Sequence, residues 1–242
     1  MLKLTSNFLF FLLVLTSCTN KEEVKTFYPS GEIKSTGYLS NNMKVDSAKV
    51  FYENGELKEE GFWKNDLQSG TWKYYDNQSN ITALINFDSG KQDGEAIFFY
   101  EDSTVEEVSN WDNDKLHGLS TLYYENGEVK QKGNWKEGKK NGYFKAFYEN
   151  GNLLQEGRYV EGKEEGKFIS YFENGDTLNI THWHDGQRSG KTISYYENDK
   201  IEQVGYFKGN EFDSTWTIYD TSGVLKETRK YHEGTLLIKT RK

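Results

Sequence analysis

Residues 51–64 read FYENGELKEEGFWK, and closely related stretches stand at residues 123–136 and 147–160. Each stretch places an Asn-Gly pair between two short runs that contain aromatic and aliphatic residues. Short runs of this kind favour strands over helices. Asn-Gly between them is a strong hairpin signal, because a type I′ turn requires positive φ at both central residues. The stretch therefore predicts a β-hairpin with a two-residue turn at Asn54-Gly55.

The hairpin recurs nine times from Phe27 with a period of 24 residues and without insertion or deletion. One aromatic column, which we call the ladder column, consists of Phe27, Phe51, Tyr75, Phe99, Tyr123, Phe147, Tyr171, Tyr195 and Tyr219. A second aromatic column consists of Trp63, Phe87, Trp111, Trp135, Tyr159, Trp183, Phe207 and Tyr231. A glycine column consists of Gly70, Gly94, Gly118, Gly142, Gly166 and Gly190. A strict period of roughly 20 to 50 residues indicates a quasi-one-dimensional fold whose units bury surface against their neighbours.

These patterns predict an all-β fold, an elongated antiparallel β-meander or solenoid of nine 24-residue hairpin repeats over residues 27–242, with about 18 strands. The single proline, Pro29, falls in the first turn, where a missing N–H costs little. After the N-terminal segment, no stretch shows the 3.6-residue apolar period of a helix. A sheet this wide must twist and coil, so we expect a curved or rolled body.

The turn position also predicts a register. A two-residue turn at residues 150–151 pairs Tyr148 with Leu153, Phe147 with Leu154, and Phe144 with Gly157. The buried face should then carry one apolar column, and the ladder column should lie on the other, half-wet face. The apolar column consists of Ile33, Leu57, Ile81, Val105, Val129, Leu153, Ile201 and Leu225.

The N-terminus is a separate segment. Residues 8–15, FLFFLLVL, are too short to span a bilayer, which takes about 20 residues, so we predict that residues 1–17 are a signal peptide. The segment ends in LTSC at residues 15–18, which resembles the lipobox of bacterial lipoproteins. That resemblance implies cleavage before Cys18, the only cysteine, and its acylation, so that residues 18–26 form a lipidated tether. An ordinary secretory signal with a chance cysteine is the alternative.

The residues after the cysteine bear on location. Thr19 stands where an aspartate would resemble an inner-membrane retention signal, which favours the outer membrane. Residues 21–23, KEE, resemble the tract that follows the lipid cysteine in some surface-exported lipoproteins, and a short charged tether is the alternative. We therefore expect a cell-envelope protein held by acyl chains on Cys18, with surface exposure left open.

The charge balance argues against two classes of partner. The chain carries 38 acidic and 30 basic residues, with a net charge of −8. This argues against nucleic acid and against direct binding to anionic lipid headgroups, both of which reward clustered Lys and Arg.

The repeated unit resembles a known family. The stretch at residues 51–64 and its copies are similar to the MORN repeat in its bacterial variant form, and to the antitoxin-like repeat proteins named after YwqK. The resemblance runs from about Phe27 to the end, although NQS at residues 77–79 and DST at residues 102–104 replace the Asn-Gly turn, and Ile238 replaces the last glycine. It implies an antiparallel β array that serves as a scaffold or binding surface, and some members look like immunity partners that neutralise a toxin.

Catalytic and metal-binding patterns are absent from the sequence. The chain has four histidines, and no Gly-x-Ser-x-Gly elbow or phosphate-binding glycine loop precedes a helix. His182 and His184 share one face of a predicted strand, and Asp185 follows, but a zinc site takes three or four ligands. We predict no catalytic residue, no cofactor and no metal.

We therefore predict a non-enzymatic, membrane-anchored repeat lipoprotein that binds or scaffolds other proteins through the ladder column. Interfaces favour Tyr, Trp and Phe, which favours a protein partner over a glycan. The alternatives are an immunity or antitoxin-type protein that sequesters a toxin, and a surface glycan-binding module. The partner's identity and the oligomeric state do not follow from the sequence.

Overall fold

The computed structural model describes residues 21–242, which form one open antiparallel sheet of 19 strands. Each strand pairs with its neighbours in the chain, which confirms the all-β meander. The predicted signal peptide and Cys18 lie outside the described residues. Over residues 21–242, no helix is long and apolar enough to cross a membrane. The strands are β1 (Glu22–Phe27), β2 (Ile33–Ser40), β3 (Met43–Phe51), β4 (Leu57–Lys64), β5 (Leu67–Tyr75), β6 (Ile81–Asp88), β7 (Lys91–Phe99), β8 (Val105–Asp112), β9 (Lys115–Tyr123), β10 (Val129–Lys136), β11 (Lys139–Phe147), β12 (Leu153–Val160), β13 (Lys163–Tyr171), β14 (Thr177–His184), β15 (Gln187–Tyr195), β16 (Ile201–Lys208), β17 (Glu211–Tyr219), β18 (Leu225–His232) and β19 (Thr235–Arg241).

The strand count exceeds the prediction by one, because the sheet begins before the first full repeat. β1 includes residues 22–26, which the sequence assigned to the tether, and it pairs antiparallel with β2 from Glu22 opposite Leu39 to Phe27 opposite Ile33. The sequence EEVKTF lacks most marker residues of the repeat. Backbone pairing with β2 does not depend on those markers, so the strand forms without them.

The turn at each Asn-Gly pair differs from the predicted type I′ turn. The N–H of Gly151 donates to the carbonyl of Tyr148 at 2.9 Å, and the N–H of Tyr148 donates to the carbonyl of Asn152 at 2.8 Å. Gly151 has a φ of 83°, whereas Asn150 does not have positive φ. This is a type I turn that ends in a left-handed glycine bulge. Asn150 stabilises it through its side chain, whose Oδ1 accepts the N–H of Asn152 at 2.9 Å.

The glycine bulge changes the register near the turn. Phe147 pairs with Leu153 where the sequence predicted Leu154, because the bulge adds one residue to β12. Beyond the bulge the predicted pairing of Phe144 with Gly157 is confirmed.

The type I′ geometry occurs instead at the connection between hairpins. Glu161 and Gly162 both have positive φ, 49° and 86°. Gly166, with a φ of 81°, follows in a bulge where β13 carries two residues more than β12. The glycine column therefore marks a row of bulges. Asp46 and Ser214 hold the same left-handed conformation in the outer repeats, with φ of 66° and 59°.

The core is a row of side chains along one face of the sheet, the core face. The core row consists of Trp72, Ala96, Ser120, Phe144, Phe168, Thr192 and Trp216, all buried. Their partners on the preceding strands are Gly61, Ile85, Ser109, Gly133, Gly157, Thr181 and Gly205, in the same order. A Trp or Phe always faces a glycine, and a smaller residue faces Ile, Ser or Thr. Size complementarity across neighbouring strands therefore builds the core without a second layer.

Phe144 pairs with a glycine on each neighbouring strand, Gly133 on β10 and Gly157 on β12, and its ring covers Gly133. One prediction about this core needs correction. The apolar column predicted for the buried face is only partly buried, with Ile33 and Ile201 exposed at 38% and 37%. These residues begin their strands beside the turns, where fewer neighbouring side chains cover them.

Tyrosines in the turns join consecutive hairpins. The hydroxyl of Tyr148 donates to the carbonyl of Tyr171, 23 residues on, at 2.8 Å. The same bond is made by Tyr28, Tyr52, Tyr100, Tyr124 and Tyr196. Phe172 occupies this position in one repeat and cannot make the bond. Each tyrosine bond fixes one hairpin against the next.

Candidate binding surfaces

The ladder column lies on the face opposite the core row, which we call the ladder face. Lys145 and Glu156 pair directly beside the core pair of Phe144 and Gly157, so their side chains point to the other face. Their carboxylate and ammonium groups lie 3.0 Å apart, and the hydroxyl of Tyr171 donates to Glu156 Oε1, also at 3.0 Å.

Tyrosine and glutamate form a recurring contact on this face. Tyr75 donates to Glu60 at 3.2 Å, and Lys49 and Lys73 lie 3.7 and 3.4 Å from the same carboxylate. Burial raises the pKa of Tyr75, and the negative charge of Glu60 raises it further. The hydroxyl of Tyr75 is therefore a neutral hydrogen-bond donor at neutral pH.

The hydrogen bond from Lys145 lowers the pKa of Glu156 below its ordinary value, against partial burial, and the bond from Tyr171 adds to it. The carboxylate therefore stays ionised between its two donors. At two places, around Glu60 and around Glu156, the ladder face thus sets aromatic rings beside ion pairs.

The ladder rings are mostly half-buried. Phe27, at the open edge, is 57% exposed, and the other eight rings have intermediate exposure. They present part of each ring to solvent at a constant interval. Among the exposed side chains of this face that no sequence pattern predicted are Leu119 and Tyr143, which are 49% and 71% exposed and stand 24 residues apart. No column signal marks them, because the other repeats have polar residues at that position.

A cleft of 280 Å³ opens in the core face at Thr192, and no sequence pattern predicted it. At the position two repeats earlier, between Phe144 and Phe168, the corresponding cleft measures only 60 Å³. Thr181 and Thr192 stand where that earlier repeat has Gly133 and Phe144. The larger cleft is lined by Asn179, Thr181, Arg188, Thr192, Ser194, Gln203, Phe207, Phe212, Trp216, Ile218, Arg229 and Tyr231.

A buried carboxylate lies beside one wall of this cleft. Glu227, with a side chain only 8% exposed, bonds Arg229, Lys239 at 3.1 Å and Arg241 at 3.4 Å. Burial opposes its ionisation, but hydrogen bonds from Arg229 and Lys239 hold its pKa below the ordinary value. β19 lacks the glycine bulge, which places Arg241 directly opposite Glu227. The cluster has three cations for one anion.

The histidines do not gather into the arrangement considered from the sequence. His182 Nδ1 lies 2.8 Å from the carbonyl of Lys191, whereas His184 Nδ1 lies 3.2 Å from Glu165. Each ring therefore has its own partner.

A different group, Asp112, His117 and Glu137, brings its ligand atoms within 4.8 Å of one another. Lys115 already pairs with Glu137 at 2.8 Å and raises the local positive charge. We assign no metal to this group.

The fold and these surfaces define an all-β repeat protein built from hairpins of constant length. The family model described as "MORN repeat variant" matches residues 47–65, 116–137, 140–161 and 188–208. The chain therefore carries MORN-variant repeats in these four stretches. MORN repeats indicate a repeat protein with a binding or scaffold role. Among curated proteins, none matches the sequence.

Similar solved structures are much longer chains. A point mutant of TarM from S. aureus, in complex with fondaparinux, alpha-GlcNAc-glycerol and UDP, is 17% identical with a TM-score of 0.28, over 40% of this chain and 19% of that one. TcdB2-TccC3 without its hypervariable C-terminal region is 10% identical with a TM-score of 0.23, over 89% of this chain and 13% of that one. The chain thus spans less than a fifth of either, and similarity at this level carries no functional conclusion.

Proposed function

We propose that this protein is a non-enzymatic lipoprotein of the cell envelope, whose repeat sheet binds or scaffolds other proteins through the ladder face. The observation that carries the proposal is the ladder itself: nine rings at one repeat position on a single sheet. Part-exposed aromatic rings are the side chains that interfaces favour.

The ladder face also suits recognition of extended surfaces. Ion pairs lie beside the rings at two places, where Glu60 stands between Lys49 and Lys73 and where Glu156 pairs with Lys145, so a partner meets charged groups as well as apolar rings. The turn tyrosines hold consecutive hairpins together, which limits the ordering cost of binding.

The anchor is the second part of the proposal. Its support is the LTSC sequence at residues 15–18 and the position of Cys18 after a short apolar run. Two or three acyl chains, at about 0.8 kcal/mol for each buried CH₂, hold a domain durably at a membrane. The proposed location is the outer membrane.

The experiment is capture of the full chain from gently solubilised envelopes, followed by mass spectrometry of what accompanies it. The Cys18→Ser variant is the matched control, and it should leave the membrane fraction. Several envelope proteins that depend on the anchor would support the scaffold. A single small toxin in equal amount would indicate an immunity role, and retention on isolated capsular or cell-wall polysaccharide without protein would indicate a glycan-binding module. Persistence of the variant in membranes would contradict the lipoprotein assignment.

A further inference from the structure

The cleft at Thr192 departs from the size rule of the core row. In four of the seven core pairs a Trp or Phe ring fills the space above a glycine. Here the Thr181 and Thr192 hydroxyls lie 3.1 Å apart, and Thr192 also donates to the carbonyl of Ile180 at 3.2 Å. The two hydroxyls thus satisfy their hydrogen bonds locally, and no ring fills the space above them. This accounts for a cleft volume of 280 Å³ here against 60 Å³ in the earlier repeat.

The cleft is positively charged within an acidic protein. Among the described residues that line it, the charged ones are Arg188 and Arg229, with no carboxylate. The guanidinium of Arg188 lies over the Phe207 ring, 4.2 Å from its centroid, and within residues 21–242 it forms no ion pair. Arg229 is bonded to Glu227, whose cluster keeps an excess of cations. A planar guanidinium without a carboxylate partner favours an oxyanion that accepts two parallel hydrogen bonds.

Neutral hydrogen-bonding groups line the same cleft. The side chains of Asn179, Ser194 and Gln203 line the cleft and have no side-chain hydrogen-bond partner in the part of the chain that the structure describes. Together they offer amide donors, amide acceptors and a hydroxyl. Phe212 and Tyr231, which also line the cleft, stack at 5.1 Å with an interplanar angle of 25°, and Phe212 is 42% exposed. The cleft thus combines a cation, uncommitted polar groups and an aromatic wall.

We propose that this cleft binds a sugar acid, a single pyranose ring that carries a carboxylate. Arg188 takes the carboxylate, the side chains of Asn179, Ser194 and Gln203 take the ring hydroxyls, and the Phe212–Tyr231 stack covers the apolar face of the ring. The volume lies near the lower end of small-molecule pockets, roughly 300 to 1,000 Å³, so one ring fits and a longer chain must extend outward. The site is on the core face, opposite the ladder, and it does not depend on the scaffold proposal.

The test is calorimetric titration of the full chain in detergent with glucuronate and galacturonate. Glucose and galactose are matched neutral probes. We expect a dissociation constant of about 1 mM or tighter for one of the two acids, and at least about tenfold weaker binding of its neutral counterpart. No binding of either acid at about ten times that concentration, or equal binding of acid and neutral sugar, would overturn the proposal.

Two variants locate the binding. Arg188→Met should weaken the acid about tenfold to a hundredfold, because it removes hydrogen bonds to a charged group. The double substitution Thr181→Gly with Thr192→Phe copies the natural pair of Gly133 and Phe144, so it should keep the fold and abolish binding by filling the cleft. Lys140→Met, which removes the equivalent cation from the small cleft, is the matched control and should bind normally. Undiminished binding by the filled variant would refute the site.

A last probe separates a sugar from a simple carboxylate. N-acetylglutamate carries the carboxylates of an acidic peptide without a sugar ring. We expect it to bind at least about tenfold more weakly than the better sugar acid, because it leaves the polar groups unpaired. Equal or tighter binding of N-acetylglutamate would overturn the sugar-acid assignment in favour of an acidic peptide.

Discussion

Gly157 is the position where one added methyl group tests how the core row packs. The residue is buried, and its φ is not positive, so alanine is compatible with the backbone. A Cβ built there would lie 2.2 Å from Cδ1, 2.3 Å from Cε1 and 2.5 Å from Cγ of Phe168. Since no contact that short is tolerated, the ring must move. Gly157→Ala should therefore lower the free energy of unfolding by about 1 to 3 kcal/mol, the usual cost of overpacking.

The same substitution should change sign when the ring is absent. Phe168→Ala alone should cost about 3 kcal/mol. In that background, Gly157→Ala no longer meets a ring and should gain about 0.5 kcal/mol from the lower chain entropy of alanine. The two changes are then coupled by about 1.5 to 3.5 kcal/mol. Gly166→Ala is the control: apart from the chain neighbours, no described atom lies within 4 Å of a Cβ built there, and the φ of 81° makes the cost, about 1 kcal/mol, the same in both backgrounds.

The assay is urea unfolding followed by tryptophan fluorescence for the four combinations and the control. Because repeat arrays can unfold in parts, hydrogen exchange of the β12 and β13 amides supplies the local free energy. If Gly157→Ala costs the same with and without Phe168, the ring is not what excludes a side chain at position 157, and the size rule of the core row is wrong.

Three further predictions concern single residues. Ser214→Gly should raise the urea midpoint by an amount equivalent to about 1 kcal/mol, since it relieves a φ of 59°, and a lower midpoint would contradict the bulge. Tyr148→Phe should lower the free energy of thermal unfolding by about 1 kcal/mol, because it removes the hydroxyl that bonds Tyr171. Phe172→Tyr should raise it by part of that amount, because it adds the equivalent bond one repeat on. Equal stability of the parent protein and both variants would show that the turn bond contributes nothing. The pKa of Glu227 is lower in the folded protein than its ordinary value of 4.5. The ionised carboxylate therefore stabilises the fold fully above pH 4.5, and this contribution is lost as the pH falls through the folded pKa. Urea unfolding from pH 7 to 3 should thus be less pH-dependent for Glu227→Gln, and an unchanged profile would refute that linkage.

The period of 24 residues was sufficient to predict the architecture. The prediction was wrong about the turn type and about the register beside the turn. Asn150-Gly151 has the composition of a type I′ turn, but the type I turn with a glycine bulge uses the same two residues with only the glycine left-handed. β1 was not predicted, because its backbone can pair with β2 without the side chains that mark the repeat. Those side chains predict a strand only where they pack in the core.

The surfaces were less predictable than the sheet. The ladder column could be found because its rings recur in every repeat. The cleft could not, since it arises from a pair, Thr181 with Thr192, at two positions 11 residues apart whose contact depends on the bulge of β15. Arg188, the cation of the cleft, stands where the earlier repeat has Lys140. The sequence alone does not show that this position faces the cleft, because that depends on the register.

The central claim is that the ladder face contacts partner proteins, and site-specific photo-cross-linking in intact cells tests it most directly. A photoreactive phenylalanine in place of Tyr123, a half-buried ladder ring, reports on that face, and the same group in place of Val224, a turn residue that is 62% exposed, is the control. We expect protein adducts from position 123 that identify the same partners as the envelope capture, and none of these from position 224. Adducts of equal yield and identity from both positions, or from position 224 alone, would contradict the claim.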